Sequence, residues 1–373
     1  MFSFLLPKAV RQGRQFAKDA RKLLAYKRDL WTADAVAEFE GGIIALEKAS
    51  AHREVAAIEE SARGLDRLCT QHLPRLEDAG WRENCEVFLV AIVVALAVRT
   101  FFLQPFTIPT GSMQPTLNGI LNYPTQTEPP NVAARLVQTA VFGRSWINTI
   151  AEDEETVFDV HEVSRFFLFT YSQVQTDRHT YLIHAPARSL VEGFGVTMGR
   201  SYQRGEPIAR GYVETGDHVF VDKCTYHFRT PRRGDVFVFN TQTLPTYDNR
   251  QHPDGPSQFY IKRLVGLPGD ELRIDSPRLF VNGKLAEGRA FERVMAARDG
   301  YGGYGFGAPG FLMPILRAAD DPYTIPPKHY FAMGDNSYHS SDSRDWGAVP
   351  QQNIMGRGLL VYWPFTSHWG LIR

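Results

Sequence analysis

Three hydrophobic rhythms divide the chain. Val55, Ile58, Ala62, Leu65 and Cys69 recur at alternating spacings of three and four, which places them on one face of an α-helix and predicts helix packing in the N-terminal part. Val87 to Val98 then runs twelve residues without a polar side chain, Arg99 and Thr100 interrupt, and Phe101 to Leu103 resume before Pro105. Beyond this, "DHVFVDK", "GDVFVFN", "FYIKRLVGL", "ELRIDSPRLFVNGK", "HYFAMGD" and "GRGLLVYWPF" show strand-length alternation bounded by turn residues, with no βαβ rhythm. These patterns predict a mostly β, antiparallel outer domain.

The apolar run decides the organisation. Counted as one helix from Val87 to Phe106, its 20 residues rise ~30 Å, about the thickness of a bilayer core. Its Val, Ile, Leu and Phe side chains contribute about −5 kcal/mol on an insertion scale, against at most ~3 for Arg99, so insertion is favoured. The competing reading is a buried core helix, because the uninterrupted run falls short of ~18 residues. Arg63, Arg67, Arg75 and Arg82 precede the segment, whereas no Lys or Arg occurs from Phe101 until Arg135. The positive-inside rule therefore puts the N-terminal part in the cytoplasm and the rest outside, with Trp81 as an interfacial anchor. The domains expected are a cytoplasmic helical region at 1–84, a transmembrane helix at 85–106 and an extracytoplasmic β domain at 107–373. The last includes an inserted subdomain at about 119–210, strand-like in "SRFFLFTYSQVQ" and "TYLIHAPARSL". The basic stretch carrying Lys8, Arg11, Arg14, Lys18, Arg21 and Lys22 reads either as a lipid-resting or as a solvated helix.

Composition narrows the function classes. Lys plus Arg and Asp plus Glu both number 41, so the net charge is zero and nothing favours nucleic acid as a partner. Cys69, Cys85 and Cys224 form no disulfide framework, and Cys224 with His227 lacks the further ligands that a zinc site needs. No metal is expected. "GFGAPG" at 305–310 matches the G-x-G-x-x-G spacing, but Pro309 and the crowded glycines predict a loop with no helix to receive a phosphate.

Two positions invite chemistry. Ser112 in "PTGSMQPTL" follows the apolar segment, between Pro109 and Pro115. It reads either as turn filler or as a nucleophile held by stiff backbone. In "FYIKRLVGLPGD", Lys262 shares a strand face with Tyr260 and Leu264, and Arg263 shares the other with Ile261 and Val265. Whichever face is buried takes one cation with it, and a buried lysine can release its proton whereas a guanidinium needs a carboxylate. The alternative is a pair of surface cations packed along their stems.

"PTGSMQPTL", "GDHVFVDK", "RRGDVFVF", "YIKRLVGLPGD" and "GDNSYHSSDSRDWGAVP", in this order after an apolar segment, resemble the sequence boxes of bacterial type I signal peptidases. That resemblance implies a Ser/Lys endopeptidase of the membrane, without cofactor, that removes signal peptides from exported preproteins after small residues. Ser112 matches the nucleophile and Lys262 the general base. Thr110 matches the oxyanion donor, and Ser340 the hydroxyl that orients the lysine. Asp342 and Arg344 match a bracing ion pair, which offers one carboxylate partner for a buried Arg263, and Ile108 and Ile261 match the lining of the substrate pockets. The bilayer is the implied second partner, and the inner membrane the implied location. Two rivals are a self-cleaving repressor, which would need a DNA-binding module, and an inactive membrane-anchored binding protein, which would have a damaged dyad.

Overall fold

The computed structural model describes residues 7–72, 79–165, 169–241, 244, 259–307 and 315–372. The predictions that fall on Arg75, on residues 166–168 of an expected strand and on residues 308–310 of the glycine-rich loop lie outside these. Two compact units make up the chain, Met1–Val93 and Val94–Arg373.

In the first unit, helices Lys8–Lys27, Ala33–His52 and Val55–His72 pack around Val10, Leu24, Phe39, Ile43, Leu46, Ile58 and Leu65. The predicted stripe supplies Ile58 and Leu65 to this core, with Ala62 and Cys69 against it, while Val55 is exposed. The apolar face of Lys8–Lys27 is buried among its own neighbours, leaving Lys8, Arg11, Arg14, Lys18, Arg21 and Lys22 exposed. A Cβ on Gly13 would lie 2.8 Å from Ser50 Oγ, so the glycine sets how closely two of the helices approach.

Helix Ala79–Phe101 carries the long apolar run. Its Glu83–Phe101 segment is the one described helix long and apolar enough to cross a membrane, and 0% of it is buried. The helix ends five residues earlier than the sequence reading placed it, because Leu103–Thr107 is a strand. Proline has no N–H and disfavours helix in the residue before it, so Pro105 fits an edge strand and not a helix terminus.

That edge strand opens an eight-stranded sheet. It pairs with His218–Asp222, followed by Ile354–Trp363, Val236–Asn240, Phe259–Gly266, His329–Met333 and Val349–Pro350, with Gly370–Leu371 on the Ile354–Trp363 strand. Every pairing is antiparallel. A smaller sheet of Glu271–Asp275, Arg278–Val281, Lys284–Leu285 and Tyr323–Thr324 packs around Leu272, Ile274, Leu279, Phe291 and Phe331. Within the second unit, the stretch expected as an insertion contributes two further sheets and a core cluster around Ile147, Val174, Ile183, Leu190 and Tyr202. Its strand Pro207–Glu214 runs four residues past the expected boundary, and it contains a helix, Val132–Phe142, that the strand-like reading missed.

Candidate active site

Ser112 lies in the single turn Gly111–Met113, 8% exposed, just past the edge strand. The turn is gripped from below: Asn336 N–H donates to Ser112 O at 3.1 Å, and Asn336 Nδ2 donates to Gly111 O at 3.2 Å. These bonds fix the backbone, leaving the hydroxyl to be aimed by its side-chain partner.

That partner is Lys262. Its strand Phe259–Gly266 lies between Val236–Asn240 and His329–Met333, with Lys262 opposite Phe237. Lys262 Nζ donates to Ser112 Oγ at 2.7 Å, and the lysine is 5% exposed. Burial pushes its ammonium down from 10.5 to about 8; Asp342 opposes that fall and Arg344 adds to it. An amine in this range is an effective base near neutral pH. Thr110 Oγ1 points at the same Ser112 Oγ from 3.5 Å, a distance too long for a firm hydrogen bond.

Both faces of the lysine strand are covered, so the surface-cation alternative fails: Arg263 is 0% exposed. The option that Arg263 joins Asp342 and Arg344 also fails. Its guanidinium holds Asp335 instead, Nε to Oδ1 at 2.7 Å and one terminal nitrogen to Oδ2 at 2.6 Å. The cause is the two-residue period of the strand: Arg263 points away from the face on which Lys262 meets Ser112. Thr116 accepts from Arg263 at 3.0 Å and from Arg293 at 2.6 Å, and donates to Asp335. Four residues after the nucleophile candidate, the chain is thus tied to a buried ion pair.

Asp342 and Arg344 form a second buried pair, with Nε to Oδ1 at 2.8 Å. Burial alone would push the Asp342 carboxyl up, but Arg344, Lys262 and the Gly334 N–H hold it below its usual range. Arg344 also donates to the carbonyls of Gly305, Phe306, Ser337 and Ser340, stitching the glycine-rich loop to this turn. Ser340 Oγ donates to Asp342 Oδ2 at 2.8 Å, so its proton goes to the carboxylate and not toward Lys262. Gly334 is forced by crowding: a Cβ there would sit 2.2 Å from Ser340 Oγ and 2.5 Å from Ser112 O. Ile108 is buried in the cluster of Met113, Leu117 and Val219, with Ile261 packed against it.

Asp335, Asn336 and Thr116 were not legible as site residues. The signals available were their places inside the boxes "PTGSMQPTL" and "GDNSYHSSDSRDWGAVP" and the acid of "MGDN" just past an apolar strand.

The signal peptidase, peptidase S26 family matches residues 81–123 and 205–363, just over half of the chain. The chain belongs to this family. It is 33% identical over 152 residues to signal peptidase I of Leptolyngbya laminosa, covering 41% of this chain and 63% of that protein. It is 32% identical to a probable signal peptidase I-2 of Synechocystis sp., covering 41% and 57%. With signal peptidase I of Pseudomonas aeruginosa the identity is 34% over 192 residues, covering 41% and 61%. The chain therefore spans about three-fifths of the length of these curated relatives. Every expected site residue of this S26 chain falls inside the matched stretches, whereas the three-helix unit and residues 124–204 fall outside them.

Proposed function

We propose that this S26 chain is a membrane-anchored serine endopeptidase that removes signal peptides from exported preproteins, with Ser112 as nucleophile and Lys262 as general base. The observation that carries the reading is the 2.7 Å hydrogen bond between a surface-shielded serine and a buried lysine whose amine is pushed toward neutrality. Neutral Lys262 takes the hydroxyl proton as Ser112 Oγ attacks the scissile carbonyl. The oxyanion that forms accepts from the Ser112 N–H and the Thr110 hydroxyl, the latter rotating to the developing charge. The Lys262 ammonium then protonates the leaving amine, the signal peptide stays as an ester on Oγ, and the neutral lysine activates water to release it. Asp342 holds Ser340 beside the dyad, its oxygen free to accept from the ammonium, and Ile108 and Ile261 line pockets for small residues before the cut. No step requires a metal or an organic cofactor.

The helix Ala79–Phe101 is the membrane anchor in this reading, with the three-helix unit cytoplasmic and the β domain on the outer side of the inner membrane. Its support is the exposure of every apolar residue from Val87 to Leu96 that a soluble protein would bury. An anchored substrate and an anchored enzyme meet at raised effective concentration. The test is cleavage of a preprotein carrying an Ala-x-Ala site by the detergent-solubilised chain, beside Ser112→Ala and Lys262→Ala. Cleavage after the second Ala by the unmodified chain alone is expected; cleavage by Lys262→Ala overturns the assignment of the base.

A further inference from the structure

The helix Val132–Phe142 is built inside out. Val132, Ala133, Leu136, Val137 and Ala140 are exposed with Thr139, while the half-buried face carries Arg135 and Gln138 beside Ala134 and Val141. Val132 is 61%, Leu136 67% and Val137 59% exposed, and no residue of the helix is buried. Surface helices of soluble domains show the reverse pattern, apolar inward and polar outward. The arrangement is fixed by specific bonds. Asn131 caps the first turn by accepting from Ala134 N at 2.9 Å, Gly143 ends the helix with φ +65°, and Trp146 Nε1 donates to Gln138 Oε1 at 2.6 Å. Trp363 Nε1 donates to Ala140 O and Phe365 N–H to Val141 O, at 2.8 and 2.9 Å, fastening the helix to the end of the main sheet.

We propose that this helix is a second membrane contact, lying in the bilayer interface with its Val132, Leu136 and Val137 face in the lipid. The proposal rests on the membrane anchorage proposed above, and its residues lie outside the stretches shared with the family.

Area and connectivity select lipid over protein. Eleven residues rise ~16 Å, and the outward face presents only Val132, Leu136 and Val137 as large apolar side chains, against the roughly 20–30 residues a side of a stable protein interface. A stable protein interface needs about 800 Å² per partner, so a second copy of this chain is a poor occupant. A bilayer has no such requirement when an anchor already holds the protein to it, because the small patch then binds at high effective concentration. The register gives the reach. Leu103, where the apolar helix gives way to strand, is one strand length along and two strands across from Trp363. That separation is about 17 Å, within the span of a domain resting on the membrane. The helix carries no acidic residue, which anionic headgroups would repel.

The test uses the full chain in liposomes of phosphatidylethanolamine and phosphatidylglycerol, with Cys69, Cys85 and Cys224 replaced by Ser and Leu136→Cys carrying an environment-sensitive fluorophore. Met198, 71% exposed on the same inserted stretch, gives the control label as Met198→Cys. Blue-shifted emission quenched by shallow nitroxide lipids at 136, with neither effect at 198, is the expected result. Equal water exposure at the two positions overturns the proposal, as does protection at 136 that depends on protein density and not on quencher lipid, which would indicate a second copy. Leu136→Glu with Val137→Glu, in the natural cysteine background, is expected to lower cleavage of a bilayer-embedded preprotein 3–10-fold and to leave a short soluble peptide unaffected. Equal loss or no loss on both substrates counts against the lipid contact. If the unmodified chain cleaves neither substrate, the proposed peptidase function fails, while the quenching still decides the membrane contact.

Discussion

The lysine proposed as the general base also weakens the fold, and both effects can be measured on one residue. Burial, set against the opposing charge of Asp342, lowers Lys262 from 10.5 to about 8, so folding shifts its balance toward the neutral amine by about 3 kcal/mol relative to the unfolded chain. Only the neutral form accepts the serine proton. About a tenth of the molecules hold it at pH 7 and about nine-tenths at pH 9, so kcat/KM is expected to rise roughly tenfold over that interval. The stability sign follows from the same depression. Between pH 8 and 10.5 the unfolded chain binds the proton that the native lysine has lost, so stability rises with pH through this window and is lost as pH falls through 8. Lys262→Met, similar in length and without charge, is expected to abolish cleavage and to raise stability at pH 7 by about 2–3 kcal/mol, less than the full figure because the bond to Ser112 is lost. The assays are kcat/KM on a fluorogenic Ala-x-Ala peptide in detergent from pH 6 to 10, and thermal unfolding of both proteins at pH 7. A flat profile between pH 7 and 9, or a Lys262→Met protein less stable than its parent, refutes the reasoning that burial sets this amine.

Thr110→Val removes the proposed oxyanion hydroxyl while keeping its shape, and kcat is expected to fall by about 10²-fold with KM little changed; an unchanged kcat removes Thr110 from the mechanism. Asp335→Asn leaves the Arg263 guanidinium buried without its carboxylate and is expected to destabilise the β domain by about 3–5 kcal/mol, read as a lowered Tm. Gly334→Ala places a Cβ 2.2 Å from Ser340 Oγ and 2.5 Å from Ser112 O, and steady-state kinetics are expected to show a collapse of kcat as the serine turn shifts.

The hydrophobic rhythm by itself determined much of this protein. Period two gave the strands of the main sheet, because alternation reports which side of a pleat is covered; the stripe at period 3.6 gave the helix Val55–His72 for the same reason, and the unbroken apolar run gave Ala79–Phe101 by its length. Ser112 and Lys262, 150 positions apart, each stood out locally, but their pairing was legible only through the ordered boxes around them, since no local pattern says that two distant residues touch. Tertiary structure alone decided the partner of Arg263. Sequence showed that a buried guanidinium needs a carboxylate, but strand direction turned it toward Asp335 and away from Asp342. It also decided that both faces of the lysine strand are covered, which local alternation cannot reveal because covering depends on what packs from elsewhere. The outward face of Val132–Phe142 belongs to the same class: its residues are ordinary core residues by composition, and only the fold left them without a core.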